Sequence, residues 1–188
     1  MRTARLYRVF PYWKGARAGQ RGHPLFSPAI QGAGRVDNPE HYRTLYASDS
    51  PAGAVAEAFG NHGIWTDQLL MGPPDFPGSV RALAELESAR LEVLDLDDAR
   101  ELARRKLRPS AVVTRDRNVS QGWALAVFRE RRWDGVRWWS DHDPRWGSCG
   151  VWRAAKMRAL EITPLTLDHP ALTEAAGVLS RPLRDTVR

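Results

Sequence analysis

The chain has one cysteine, three lysines and no long uninterrupted apolar stretch, and each scarcity removes a class of protein. A single thiol, Cys149, excludes an internal disulfide framework and any zinc site built from several cysteines, as suits a reducing compartment. It reads as a packing residue. No segment approaches the roughly 18 to 20 apolar residues a membrane span needs. The opening stretch from Met1 to Arg8 lacks the apolar core of a signal peptide. A cytoplasmic protein without a membrane partner is expected. With lysine confined to Lys14, Lys106 and Lys156, the net charge of +6 rests on arginine. Arginine offers a planar fork of donors that matches phosphate or carboxylate, although coding bias in an arginine- and alanine-rich genome would give the same composition. The basic charge and eight tryptophans also raise a nucleic-acid-binding module. Against it, the arginines are scattered and no RNA-binding or helix-turn-helix signature is present, so direct DNA binding is not expected.

A length of 188 residues with 43% hydrophobic content fits one domain spanning 1–188. Two stretches dense in Gly and Pro read as loops, 15–34 and Met71 to Gly78. Short alternating or β-rich patterns predict strands at Arg5 to Phe10, Thr44 to Ala47, Val80 to Leu86, Leu91 to Leu96, Gly135 to Trp139 and Leu160 to Leu167. Ser50 as N-cap, Pro51 at the first helical position and Gly60 as terminator predict a helix over Pro51 to Phe59. Asp98 with Glu101 starts a second helix that ends in a solvated basic run, Arg104 to Lys106. A third covers Gln121 to about Arg131, with Trp123 and Val127 on its buried stripe. Strands and helices without a regular βαβ rhythm give an α+β class.

Glu57 is the only charged residue of the helix Pro-Ala-Gly-Ala-Val-Ala-Glu-Ala-Phe, whose small apolar surface implies burial. Its helical phase points away from Val55 and Phe59, so a solvated glutamate remains the plain reading unless another segment supplies a partner. Arg35 follows Gly32-Ala-Gly34, where glycines let a ligand approach the backbone. That segment is no dinucleotide-binding signature, because a third glycine and a following helix are missing. Tyr46 ends a β-like stretch and can stack on an aromatic ring. Ser140 closes the strand of Trp133-Asp-Gly-Val-Arg-Trp-Trp-Ser140 without a hydrolase elbow around it. Asp141-His142-Asp143 is weak as a metal cluster, since neighbouring side chains diverge and no second histidine is signalled; no metal is expected.

Taken in order, four blocks resemble the RES family, named for an arginine, a glutamate and a serine. They are Arg5-Leu-Tyr-Arg-Val9, Gly32-Ala-Gly-Arg35, Thr44 through Glu57, and Trp133 through Ser140. The resemblance implies a fold related to ADP-ribosyltransferases, a split, bent pair of small β-sheets with flanking helices around a cleft that holds NAD+. It implies a toxin that consumes NAD+ as substrate, with no resident cofactor, by hydrolysis or phosphorolysis of the nicotinamide–ribose bond. Transfer of ADP-ribose to a host protein is the alternative for the same pocket. An Xre-type antitoxin with a helix-turn-helix part is the implied partner. By the same resemblance Glu57, Arg35 and Ser140 are the catalytic candidates. Arg8 and Arg35 would contact phosphate or ribose, Tyr46 would pack on the nicotinamide end, and Ser140 would position Glu57 or the ligand. The chain departs from the family pattern at Val36-Asp37 and at Asp141-His142.

Overall fold

The computed structural model describes residues 4–88 and 90–186. In chain order the main elements are β1 (Ala4–Tyr12), β2 (Leu45–Ser48), α1 (Pro51–Phe59), β3 (Trp65–Thr66), α2 (Asp67–Leu70), β4 (Val80–Ser88), β5 (Val93–Asp95), α3 (Ala99–Arg104), α4 (Pro109–Val112), α5 (Arg117–Arg129), β6 (Gly135–Trp139), β7 (Gly147–Val151), β8 (Arg158–Pro164), α6 (Pro170–Val178) and β9 (Leu183–Arg184). Seven strands form one mixed sheet in the order β5-β6-β7-β2-β1-β4-β8, while β3 and β9 pair separately. The class is the α+β expected.

The sheet is two ladders with a weak join. On one side, β1 and β4 pair antiparallel over nine residues, from Ala4↔Ser88 to Tyr12↔Val80, and β8 adds to β4 with an irregularity at Glu85/Leu86. On the other, β5 runs parallel to β6, which pairs antiparallel with β7, which pairs with β2. Between the halves, β2 meets β1 only at Tyr7↔Ser48. Beyond that pair the strands diverge. The backbone there no longer fills the space between them, so side chains and a ligand can.

Three apolar clusters hold this arrangement. Leu6, Phe10, Leu86 and Val151 pack one face of the join. Val36, Leu94, Trp123, Val127, Val136 and Trp138 seat α5 against the β5–β6 half. On the opposite side Val55, Phe59, Trp65, Trp146 and Leu172 pack α1 and α6 together. Burying a residue of the size of Val55 or Leu172 contributes about 1.5–3 kcal/mol, so these three interiors set the halves' positions.

Local signals account for α1 well. Ser50 is extended, and its hydroxyl accepts from Gly53 N, with Pro51 in the first turn. Gly60 ends the helix for a reason other than left-handed freedom: its φ is −58°, but a Cβ there would collide with the His142 ring and the Ala56 carbonyl. Several expected boundaries move. The third helix begins at Arg117 rather than Gln121, because Asp116 caps it by accepting from Asn118 N and Val119 N. The basic run after α3 is not wholly solvated: the Arg105 side chain is only 12% exposed, held between Glu101 and Glu130. The sequence reading contained neither α6 nor β7. All five β7 residues are buried, so this strand has no polar–apolar alternation to betray it. Among the described residues no helix is long and apolar enough to cross a membrane.

Candidate active site

The divergence of β1 and β2 opens a cleft of about 380 Å³, lined by Tyr7, Arg8 and Val9 from β1, Tyr46 from β2, Glu57 and Ala58 from α1, and Arg35, Arg117, Asp141 and Ser148 from elsewhere. This lies within the range of small-molecule sites, roughly 300–1,000 Å³. The small residues of α1 explain how a helix comes so near. Ala52, Gly53, Ala54, Val55 and Ala56 are buried, and a Cβ on Gly53 would meet the Ser48 hydroxyl and Trp146.

Glu57 is exposed toward solvent but not free. Its Oε1 accepts hydrogen bonds from Ser140 Oγ at 2.6 Å and Ser148 Oγ at 2.7 Å. Its Oε2 receives none among the described residues. The two serines are themselves fixed. Ser140 is 3% exposed and Ser148 4% exposed, and the Ser140 hydroxyl accepts from His142 N at 3.2 Å. Two neutral donors orient the carboxylate, and it forms no ion pair among the described residues. Ser148 is the Glu57 partner that sequence reasoning missed, because its strand carries no visible pattern.

Arg35 enters from the loop after Gly34. Its Nη1 donates to the carbonyls of Val112 at 3.0 Å and Thr114 at 2.5 Å, which pins the guanidinium to the segment between α4 and α5. Its pKa is lowered, chiefly by lost hydration and next by the charge of Arg117; Asp141, Glu57 and Tyr46 act the other way. A guanidinium remains charged at neutral pH regardless.

The loop before Arg35 is organised by Asp37, a carboxylate only 4% exposed. Asp37 Oδ2 accepts from Gly32 N at 2.9 Å and Gly34 N at 2.7 Å, and Oδ1 accepts from the Tyr46 hydroxyl at 2.7 Å. Tyr46 in turn accepts from Val36 N. Burial, then the Asp37 contact, raises the Tyr46 pKa and keeps the phenol a donor. Gly34 is required for approach: a Cβ would strike the Tyr46 hydroxyl. The departure from the family pattern at Val36-Asp37 is therefore a built feature, with Val36 fully buried in the apolar cluster that holds Trp138 and Asp37 tying loop to strand.

Arg8 lines the same cleft, with Nη1 donating to the carbonyls of Pro24 and Phe26 at 3.0 and 2.9 Å. Burial brings its pKa down to about 10. Of the five residues singled out in sequence, Arg8, Arg35, Tyr46 and Glu57 line the cleft directly, and Ser140 stands behind Glu57. The Asp141-His142-Asp143 stretch splits up: Asp141 faces the cleft, His142 lies against Gly60, and Asp143 pairs with Arg145. Cys149 is buried in the sheet, and burial pushes its thiol up to about 12.

A split-sheet α+β domain with a carboxylate and guanidinium groups in the split defines the class of protein. The RES domain matches residues 5–173, and the chain belongs to that family. The fold is similar to a chain of the crystal structure of the M. tuberculosis MbcT-MbcA toxin-antitoxin complex, with a TM-score of 0.60 and 14% identity over 95% of this chain and 90% of that one. At that identity the likeness speaks for the fold. Comparison with curated proteins gives no match.

Proposed function

We propose that this RES-domain protein is the toxin of a toxin–antitoxin pair and consumes NAD+ by breaking its nicotinamide–ribose bond, with water or inorganic phosphate as acceptor. The observation that carries this reading is Glu57: a carboxylate on a small-residue helix, fixed through one oxygen by Ser140 and Ser148, without an ion pair among the described residues, in the same cleft as Arg35. Membership of the RES family and a fold shared with a chain from a toxin–antitoxin complex support the toxin role.

The chemistry asks for those groups. The bond between the ribose C1′ and the pyridinium nitrogen breaks with its electron pair going to nicotinamide, which leaves neutral. The ribose passes through a cation-like transition state, and a fixed carboxylate stabilises that developing charge without having to reorganise. Ser140 and Ser148 act on Glu57 as positioning residues. Arg35, anchored on two carbonyls, holds an anionic part of the substrate, and restraint at both ends of the ligand lowers the entropic cost of reaching the transition state. Tyr46 offers a ring face to nicotinamide, its hydroxyl already committed to Asp37. Water or phosphate then bonds to C1′, and addition of water releases one proton. A carboxylate serves in the same way at the anomeric carbon in glycoside hydrolysis.

The test is NAD+ loss with purified protein, with and without phosphate, resolving products by chromatography. Wild type should deplete NAD+, and Glu57→Gln should be slower by about 10²–10³, the usual cost of losing one transition-state electrostatic contact. Equal rates for the two proteins, or no loss under any condition, would overturn the reading.

A further inference from the structure

Arg117 escaped the sequence reading, yet it lines the cleft beside Arg35. It is the first residue of α5; its Nε donates to the carbonyl of Ala33 at 2.9 Å and its Nη1 to that of Thr114 at 3.4 Å. Arg35 Nη1 uses the same Thr114 oxygen. Two guanidiniums are thus anchored on one carbonyl, and neither forms an ion pair among the described residues. The acid next to them in sequence, Asp116, is spent on capping α5 through Asn118 N and Val119 N. Several other fixed arginines are neutralised by acids: Arg105 sits between Glu101 and Glu130, Arg137 among Asp49, Asp95 and Asp97, and Arg145 on Asp143.

Two like charges held together with part of their hydration removed repel, and the Arg35 pKa falls for both reasons. Each arginine also keeps Nη2 free of hydrogen bonds among the described residues, so the pair presents donors as well as charge. A divalent oxyanion answers both needs, since it neutralises the pair and accepts from fork-shaped donors.

We propose that Arg117 is a ligand-binding residue which, with Arg35, forms a seat for a phosphate-type dianion in the cleft. The inference rests on the NAD+ reading for its biological source. That source is the diphosphate of the dinucleotide or the inorganic phosphate that would act as acceptor, and both have the same recognition chemistry.

The experiment is calorimetric titration of wild type, Arg117→Gln and Arg117→Lys with inorganic pyrophosphate, ADP-ribose and the phosphate-free nicotinamide riboside, each fold checked by circular dichroism. Arg117→Gln should weaken pyrophosphate by about ten-fold or more while leaving nicotinamide riboside within about two-fold, and Arg117→Lys should recover part of the loss; ADP-ribose weakens with pyrophosphate where the seat serves the dinucleotide and holds where it serves the acceptor. If Arg117 served only to brace the loop through Ala33, all ligands would weaken together; that result overturns the proposal, as does unchanged binding throughout or failure of wild type to bind pyrophosphate and ADP-ribose. The two sources separate in turnover. A raised phosphate KM with unchanged ADP-ribose affinity assigns the seat to the acceptor, whereas weakened ADP-ribose with an unchanged phosphate KM assigns it to the dinucleotide. Pyrophosphate binding by wild type without any NAD+ loss would leave the seat standing and remove the NAD+ reading.

Discussion

Two carboxylates in this molecule are held in contrasting ways. Asp134, 1% exposed, lies where β5, β6 and the turn before β8 meet; it pairs with Lys156 at 2.7 Å and Arg153 at 3.2 Å and accepts from Glu92 N. Glu57, at the split in the sheet, is held by two hydroxyls and, among the described residues, by no cation. A cation-paired acid has its charge cancelled and acts as a tie between segments. An acid oriented by neutral donors keeps its charge for something that arrives. The same logic separates Arg105 and Arg137, buried in carboxylates, from Arg35 and Arg117, which rest on carbonyls.

The sharpest way to break this comparison is to exchange the expected phenotypes. Glu57→Gln should abolish toxicity on expression in a bacterial host while its thermal midpoint stays within a few degrees of wild type, because the amide retains an acceptor oxygen for the serines. Asp134→Ala should do the reverse, costing about 1–3 kcal/mol of stability in urea titrations by stranding Glu92 N and the two cations at a partly solvated rim, with turnover per folded molecule unchanged. Stability loss in the Glu57 variant, or inactive but stable protein from the Asp134 variant, would dissolve the distinction.

A smaller effect is expected for the serines. Ser140→Ala and Ser148→Ala should each lower kcat by about ten-fold with little change in KM, since each removes one of two restraints on the same oxygen. Their double variant should cost less than the two losses multiplied if the hydroxyls act as a unit. Strict multiplicativity would mean that they act independently, through something other than Glu57.

The smallest effect concerns pH. Burial raises the Cys149 thiol and the Tyr42 phenol, each to about 12, above their unfolded values. A group whose folded pKa is raised contributes stability in full below its unfolded pKa and loses it as pH rises toward the folded one. Stability should therefore decline from about pH 9 for the thiol and about pH 10 for the phenol, toward pH 12. Urea melts of wild type and Cys149→Ala across that span check it: the variant should decline less steeply, and parallel curves would refute the assignment for the thiol. Folded protein should resist alkylation at pH 8.

Much of the site's raw material was legible in the sequence because its signals are local. The α1 boundaries follow from Ser50 and Pro51, bonded or placed within three residues of the helix start, and Glu57 stood out as the lone charge among alanines. Alternation exposed β4, and Gly135–Trp139 was found at its observed ends. Arg35, Tyr46 and Ser140 were marked by their places in a glycine loop and at strand ends, and the ordered family blocks supplied their roles. What remained hidden depends on partners far along the chain. Ser148 meets Glu57 across 91 residues, from a strand buried on every side; Arg105 is paired with Glu130, the residue that ends α5.

The sequence by itself determined the α+β class, the family, the small-residue helix and the identity of its single acid. Only the tertiary structure decided that the sheet joins at one residue pair, that Asp37 fastens Tyr46 to the glycine loop, and that Arg117 stands beside Arg35. The division is physical. Caps and alternation are written in hydrogen bonds and side-chain periods that span a few residues, whereas a cleft is made by which distant strands pair and where they stop pairing.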